Sequence, residues 1–418
     1  MNSLTRDIRL GRATRRLGWT ARVTRNRLLQ RLAALPAGRL TIEDADGSHE
    51  IGGAAARPEL HARVEVHDEG FYHALAGSGS VGAAESWVRG EWSSPDVVQL
   101  TRLMAANVDL LNHLDDNGSV LERIALRALH TMNRNSRTGS RRNIEAHYDL
   151  GNEMFEQFLD PTMMYSSAIF PGSSASLEEA SLGKLARVCE KLELGPDDHL
   201  LEIGTGWGGM AEYAARHHGC RVTTTTISRE QHDYAVARIA RAGLSDRVTV
   251  LLSDYRDLRG QYDKLVSIEM IEAVGHRFLP RYFEACSRLL KSHGLMLLQS
   301  ITIPDQRYDR ARKSVDFIQR YIFPGGFLPS NGQILRQVGE RTDMHLVDLL
   351  DITQHYARTL AAWRERFARN ATRIRELGYG EDFVRLWDFY FAYCEGGFRE
   401  RAIGTAQFLF AKPGWRPA

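Results

Sequence analysis

His199-Leu-Leu-Glu-Ile-Gly-Thr-Gly-Trp-Gly-Gly-Met-Ala211 reads as an apolar strand that enters a glycine-rich turn and leaves as a helix. Met210, Ala211 and Ala214 share one face of that helix. Gly204 and Gly206 allow a tight turn and a close backbone approach to a ligand, with no Cβ in the way. A strand, such a turn and a helix build a nucleotide-type site at the carboxyl end of a parallel sheet. The acid Glu202 precedes the glycines, whereas a dinucleotide fold places its acid roughly 20 residues after them. That order favours S-adenosylmethionine over NAD.

Working outward, residues 221–227, 248–253, 262–268 and 294–302 are further β-rich runs separated by helical stretches. This alternation predicts a doubly wound, mostly parallel α/β sheet. Residues 345–351 and 405–412 are expected to add edge strands, and 303–343 reads as an insertion. The helical stretch 357–401 carries Trp363, Phe367, Trp387, Phe389, Tyr390 and Phe391, expected mainly in the core. Upstream, Leu40, Ile42, Ile51, Val64 and Val66 alternate around Asp46-Gly47, the pattern of a small β-hairpin region. Residues 67–130 read as helical, with turns at 77–82 and 90–95. The polar stretch 133–142 is taken as linker. The expected division is a basic arm (1–40), a small α+β domain (41–130), a linker (131–145) and a catalytic domain (146–418).

A chain of 418 residues, 43% of them apolar, can bury two substantial cores. No run approaches the ~18 apolar residues of a membrane-spanning helix, and no apolar segment of a signal peptide follows the first arginines. Cys189, Cys220, Cys286 and Cys394 lack disulfide or metal-like spacing, which points to a cytoplasmic protein. The net charge of +2 hides an asymmetry: residues 1–40 hold ten arginines and a single acid, Asp7. Leu28, Leu29, Leu32 and Leu35 recur there at helical spacing among Arg25, Arg27 and Arg31. Such a segment suits an anionic membrane surface, and equally a solvated basic helix.

Several separated motifs then converge on one family. They are His147-Tyr-Asp-Leu-Gly-Asn152, Tyr165-Ser-Ser-Ala168, Leu201-Glu-Ile-Gly-Thr-Gly-Trp-Gly-Gly209 and Thr226-Ile-Ser-Arg-Glu-Gln231. Asp254-Tyr-Arg-Asp-Leu258, Ser267-Ile-Glu-Met-Ile-Glu-Ala-Val-Gly275 and Tyr321-Ile-Phe-Pro-Gly-Gly-Phe-Leu-Pro-Ser330 complete the set. Residues 143–418 resemble the cyclopropane-fatty-acyl-phospholipid synthases, and Gly82-Ala-Ala-Glu-Ser-Trp87 with Gly90-Glu-Trp92 resembles the N-terminal domain of their longer members. The resemblance implies a Rossmann-like class I methyltransferase that takes S-adenosylmethionine and acts on unsaturated acyl chains of membrane phospholipids. It implies cofactor contacts from Tyr165, Ser166, Glu202, Gly204, Gly206, Thr226, Gln231, Asp254, Tyr255 and Ile268. A buried β-branched run is the plain reading of Thr223–Thr225, and Asp254 could simply open a turn.

The implied chemistry accounts for the rest of the pattern. An alkene can attack the methyl carbon of a sulfonium without an activated nucleophile, and the resulting cation must lose a proton. Such a site excludes water, offers aromatic faces and holds one base. In the family the base is bound bicarbonate, and its holders map onto Glu272, Gln299, Tyr356 and the backbone amides of Ser167 and Ile301; Tyr148 is carried over with this catalytic set. Two departures stand out: Ser167 and Gln299 replace the commoner cysteine and histidine. Methylation without ring closure, giving a methylene- or methyl-branched chain, is the close alternative. The expected partners are acyl chains at an anionic membrane surface, on the inner face of which the protein would sit peripherally. The reading includes no nucleic acid and admits a homodimer; 303–343 is expected to face lipid.

Overall fold

The computed structural model describes residues 16–53, 56–110 and 151–417, so the expected linker and Tyr148 lie outside the described residues. The chain divides into two compact units, Met1–Glu122 and Arg123–Ala418.

The first unit is a four-stranded sheet in the order β2-β1-β3-β4 (β1 Arg39–Asp44, β2 Gly47–Gly52, β3 His61–Val66, β4 Trp92–Ser93) with three helices, α1 (Trp19–Leu32), α2 (Gly70–Val88) and α3 (Val97–Ala106). The hairpin forms as expected, with Asp44 opposite Gly47 across the turn. The turn expected at 77–82 is instead a break inside α2, where Gly79 leaves helical geometry at φ 53° and ψ −127°. The basic arm is also corrected, because α1 belongs to this unit. Ala21, Arg25 and Leu32 are buried, and Leu35 beyond the helix is 3% exposed. The Arg25 guanidinium lies 3.1 Å from carboxylate oxygens of both Asp44 and Asp46. The Tyr72 hydroxyl donates to Asp44 at 2.6 Å. Part of the leucine stripe is therefore a packing face, and the exposed residues of α1 are Trp19, Thr20, Asn26, Arg27, Gln30 and Arg31.

The second unit carries a seven-stranded sheet in the order β10-β11-β9-β8-β5-β6-β7. Five strands are parallel: β5 (His199–Ile203), β6 (Arg221–Thr226), β7 (Val248–Leu252), β8 (Tyr262–Ile268) and β9 (Leu290–Thr302). β10 (His345–Asp351) is the edge, as expected. β11 (Gly404–Ala411) is not: it lies antiparallel between β9 and β10, and seven of its eight residues are buried. An apolar run without alternation is what a strand covered on both faces requires.

Both sheet faces are covered. On one side, α8 (Leu279–Leu289) and α11 (Asn331–Arg341) bring Tyr282, Phe283, Ile334 and Val338 against Leu201, Ile203 and Leu265. On the other, α5 (Leu177–Lys191), α6 (Gly209–His218) and α7 (Arg229–Arg241) pack Val188, Met210 and Ile239 against Leu200, Val222 and Val266. α5 begins with a reciprocal cap between Ser176 and Glu179. The expected aromatic core stands: α4 (Asn152–Glu156), α12 (Thr353–Arg369) and α14 (Glu381–Arg399), with the turn after α4, gather Phe155, Phe158, Trp363, Phe367, Trp387 and Phe391. Each such ring contributes roughly 1.5–3 kcal/mol through burial. The insertion supplies α9 (Asp305–Ala311), α10 (Phe317–Tyr321) and α11, with α13 (Ala371–Glu376) following α12.

Candidate active site

The carboxyl ends of β5, β6, β7 and β8 form one rim, and the glycine turn sits on it. Gly204 and Gly206 adopt φ of 106° and 52°, in the region that disfavours a side chain. The Gly204 and Thr205 amides both donate to the Thr225 carbonyl, at 3.0 and 3.1 Å, which fixes the turn. A Cβ built on Gly206 would meet no protein atom within 4 Å, so open space faces the backbone there. Glu202 is 3% exposed, its Oε2 has no hydrogen-bond partner among the described residues, and burial pushes its carboxyl up to about 8. An enclosed acid in that state suits a cationic ligand group.

β6 ends on a buried threonine run. Thr224 donates to the Thr205 hydroxyl at 2.7 Å and Thr225 to the Ser253 carbonyl at 2.6 Å, so these two are structural. The Thr226 hydroxyl donates to Gln231 Oε1 at 2.9 Å, and Ser228 caps α7 through the Gln231 amide. Gln231 is thereby oriented, with its carboxamide nitrogen directed away from Thr226. After β7, Asp254 is part of a tight pair: Arg256 donates to it through Nε at 2.8 Å and through its backbone amide at 2.9 Å. The turn-forming reading of Asp254 therefore holds, and its oxygens retain further lone pairs for a ligand donor. Tyr255 is half-buried, edge-on to Tyr282 with centroids 5.5 Å apart. Ile268 ends β8 on the same rim.

Residues 165–168 reach the end of β8, where the Ser167 amide donates to Glu269 at 2.9 Å. Tyr165 and Tyr390 share a hydroxyl–hydroxyl bond of 2.9 Å, and the Tyr165 ring packs against Phe155, Trp363 and Phe323. Ser166 accepts from Lys184 Nζ at 2.7 Å. Lys184 is fully buried, and burial lowers its ammonium to about 8 against the opposing pull of Glu269 and Asp160.

Two acids then face one another electrostatically. Glu272 accepts from the Ile301 amide at 2.6 Å and the Ser300 hydroxyl at 2.9 Å, while its Oε2 has no partner among the described residues. Glu269 accepts from the Ser167 amide at 2.9 Å and Gln299 Nε2 at 2.8 Å on one oxygen, and from the Tyr356 hydroxyl at 2.7 Å on the other. Both are largely buried and keep a little accessible surface. Burial, then the neighbouring Glu269, pushes Glu272 up to about 8; burial also raises Glu269. Coupled buried acids do not both ionise near neutrality. Three donors and the charge of Lys184 favour the Glu269 anion, leaving the proton to Glu272. Tyr356 and Trp363 meet edge to face, and Phe398 stacks on Tyr356 at 4.4 Å. The arrangement brings a base and aromatic faces to the end of β8, where Met270 lies against Gly204 of the glycine turn.

Residues 135–408 match the mycolic acid cyclopropane synthetase family. The chain belongs to this family. Over 396 residues it is 38% identical to the tuberculostearic acid methyltransferase of Mycobacterium tuberculosis, covering 93% of this chain and 91% of the relative. It is 36% identical over 363 residues to the cyclopropane-fatty-acyl-phospholipid synthase of Escherichia coli, covering 86% of this chain and 90% of that one. Among solved structures, a Mycobacterium tuberculosis cyclopropane synthase superposes with a TM-score of 0.61 at 29% identity, covering 65% of this chain and 98% of its own. A mycolic acid cyclopropane synthase complexed with SAH and CTAB gives 0.61 at 31%, with the same coverage. The chain is thus a class I S-adenosylmethionine-dependent methyltransferase of the lipid cyclopropane synthase family.

Within this family member, the expected bicarbonate holders do converge, but not around an open anion site. Ser167, Gln299 and Tyr356 spend their donors on Glu269, and the Ile301 amide spends its own on Glu272. The residues present do not fit a separate bicarbonate, and that expectation is corrected. Glu269 was missed by sequence reading although it lies inside a quoted motif. The available signal was a second acid three residues before Glu272. Within the 303–343 insertion, residues 321–328 pack mostly inward: Ile322 and Phe327 are buried, Phe323 lies 6.2 Å from both Tyr165 and Tyr390, and the Phe327 amide donates to the Glu272 carbonyl at 3.0 Å. Tyr321 alone within this loop is exposed.

Proposed function

We propose that this methyltransferase adds a carbon from S-adenosylmethionine to the cis double bond of an unsaturated acyl chain in a membrane phospholipid, closing a cyclopropane ring. The observation that carries this reading is the Glu269–Glu272 pair enclosed by aromatic rings beside the glycine turn. An alkene needs no activated nucleophile, only a dry cleft, a cation-tolerant wall and a base. Bound at the rim, the cofactor supplies an electrophilic methyl carbon. Glu202 would take its ammonium, the Gly204–Gly206 backbone its close approach, and Gln231, oriented by Thr226, its ribose. Asp254 would accept from the adenine amino group, with Tyr255 and Ile268 against the ring; Tyr165 and Ser166 would close the methionine end.

A second reading, a methylene- or methyl-branched chain, is favoured by the likeness to a tuberculostearic acid methyltransferase along 93% of this chain. The cyclopropane and the methylene-branched product each add one CH2, whereas a saturated methyl branch carries two further hydrogens that a separate reductant must supply. Mass spectrometry of vesicle lipids after incubation with the cofactor tests the transfer, and proton NMR separates ring methylene from vinylidene hydrogens. Unchanged acyl masses would refute the proposal.

The substrate sits in a bilayer, and among the described residues no helix is long and apolar enough to cross one. The proposed location is therefore peripheral, at the cytoplasmic face. Trp19 is 78% exposed and shares the outer side of α1 with Arg27 and Arg31, a combination suited to anionic headgroups.

A further inference from the structure

We infer that the Glu269 side chain is the built-in base of this reaction, standing where an exogenous anion would otherwise be held, so that the chain works without bicarbonate. This rests on the methyl-transfer reading above and adds to it the identity of the proton acceptor. A carboxylate and a bicarbonate present the same O–C–O edge, and three donors already grip that edge on Glu269. The position is also held against backbone preference. Glu269 adopts φ 50°, a conformation costing an L-residue on the order of 1 kcal/mol, with its amide tied to the Gln299 carbonyl at 2.8 Å. Among the described residues Arg57, Met163, Glu193 and Arg401 also have positive φ, so the backbone alone does not single Glu269 out; what does is the conformation together with the three donors on its carboxylate.

The cradle is also wired for an anion. Arg187 Nε donates to Gln407 Oε1 at 3.1 Å, and Gln407 Nε2 donates to Gln299 Oε1 at 2.9 Å. Because arginine only donates, the carboxamide orientations are fixed in series, and Gln299 must turn its N–H toward Glu269. Tyr356 is held protonated, since burial and the Glu269 charge raise its phenol well above the ordinary range, so it too can only donate.

The step balances as follows. The alkene π pair forms the new C–C bond to the methyl carbon, and the S–C pair stays on sulfur as the thioether. Glu269 takes one proton from the new methyl group of the resulting cation. The freed C–H pair becomes the closing C–C bond, or the exocyclic double bond after a hydride shift. Glu269 leaves the step as a neutral acid and returns its proton to solvent when product departs.

Two measurements test this on the full chain loaded with S-adenosylhomocysteine or S-adenosylmethionine. Calorimetric titration with bicarbonate should show no saturable binding to the native protein and saturable binding to Glu269→Gly, whose cradle is emptied. Bicarbonate binding to the native protein, or none to Glu269→Gly, overturns the inference whatever the lipid substrate proves to be. In turnover assays, the native rate should be equal in decarbonated and bicarbonate buffers. Glu269→Gln should lose about 100-fold or more in kcat with KM for lipid little changed, and bicarbonate should restore turnover to Glu269→Gly. A native rate that falls on decarbonation, or Glu269→Gln within about tenfold of native, overturns it. Failure of any protein to modify lipid instead refutes the functional reading and leaves the titration to judge the cradle.

Discussion

At the scale of single residues, the site is built from acids kept where acids are costly. Glu202 is raised from an ordinary 4.5 to about 8 by burial. Between those values the folded state holds a proton that the unfolded state has lost, so this group makes the free protein less stable as pH rises through that window. Glu272, also raised to about 8, adds to the same slope. The Glu202→Gln variant should therefore lose less melting temperature than the native protein between pH 5 and pH 8 by scanning calorimetry. A cationic ammonium favours the ionised form, so cofactor binding should release a proton below pH 8, seen as a buffer-dependent binding enthalpy. Glu202→Gln should abolish that dependence and weaken binding about tenfold, ~1.4 kcal/mol. Glu202 was singled out by its place just before the glycine turn, while Glu272 and Tyr356 entered only through the family resemblance. Glu269 was not legible, because Ile-Glu-Met-Ile-Glu spells two acids without saying that the first sits in a left-handed turn that swings it under Tyr356.

At the scale of elements, β11 places Gln407 directly opposite Gln299 on β9. Replacing Gln407 with Leu leaves Gln299 Oε1 buried without a donor, which should lower the urea midpoint by the equivalent of about 1–3 kcal/mol. It also frees the Gln299 carboxamide to flip, so kcat should fall several-fold while cofactor affinity, read by calorimetry, stays near native. An unchanged midpoint would show that the relay does not bear on stability. The parallel strands were readable because a buried strand, a glycine turn and a helix repeat locally in the sequence. The place of 404–411 was not: an apolar run says that a strand is covered on both faces, but not which strands flank it. Similarly, the leucines of α1 showed a stripe at helical spacing, while the acids that claim Arg25 lie on the hairpin that follows.

At the scale of the whole molecule, the proposed chemistry and the proposed docking surface lie in different units of the chain. Vesicle co-sedimentation should show tighter binding to anionic than to neutral phospholipid, weakening with salt as the Debye length contracts from ~10 Å at 0.1 M. A Trp19→Ala, Arg27→Glu, Arg31→Glu variant should lose most of that preference and keep its cofactor affinity. Equal sedimentation by both forms would remove α1 from the docking surface. The position of β11 also governs the order in which the catalytic unit can be made. A ribosome delivers residues from the amino terminus at ~5–20 per second, and β9 and β10 emerge well before the strand that must come between them. Until residue 411 is released, two strand edges stay open and the base cradle lacks Gln407. The nascent chain thus passes through an interval in which it offers unpaired backbone to neighbours, and during which its proton acceptor is not yet oriented.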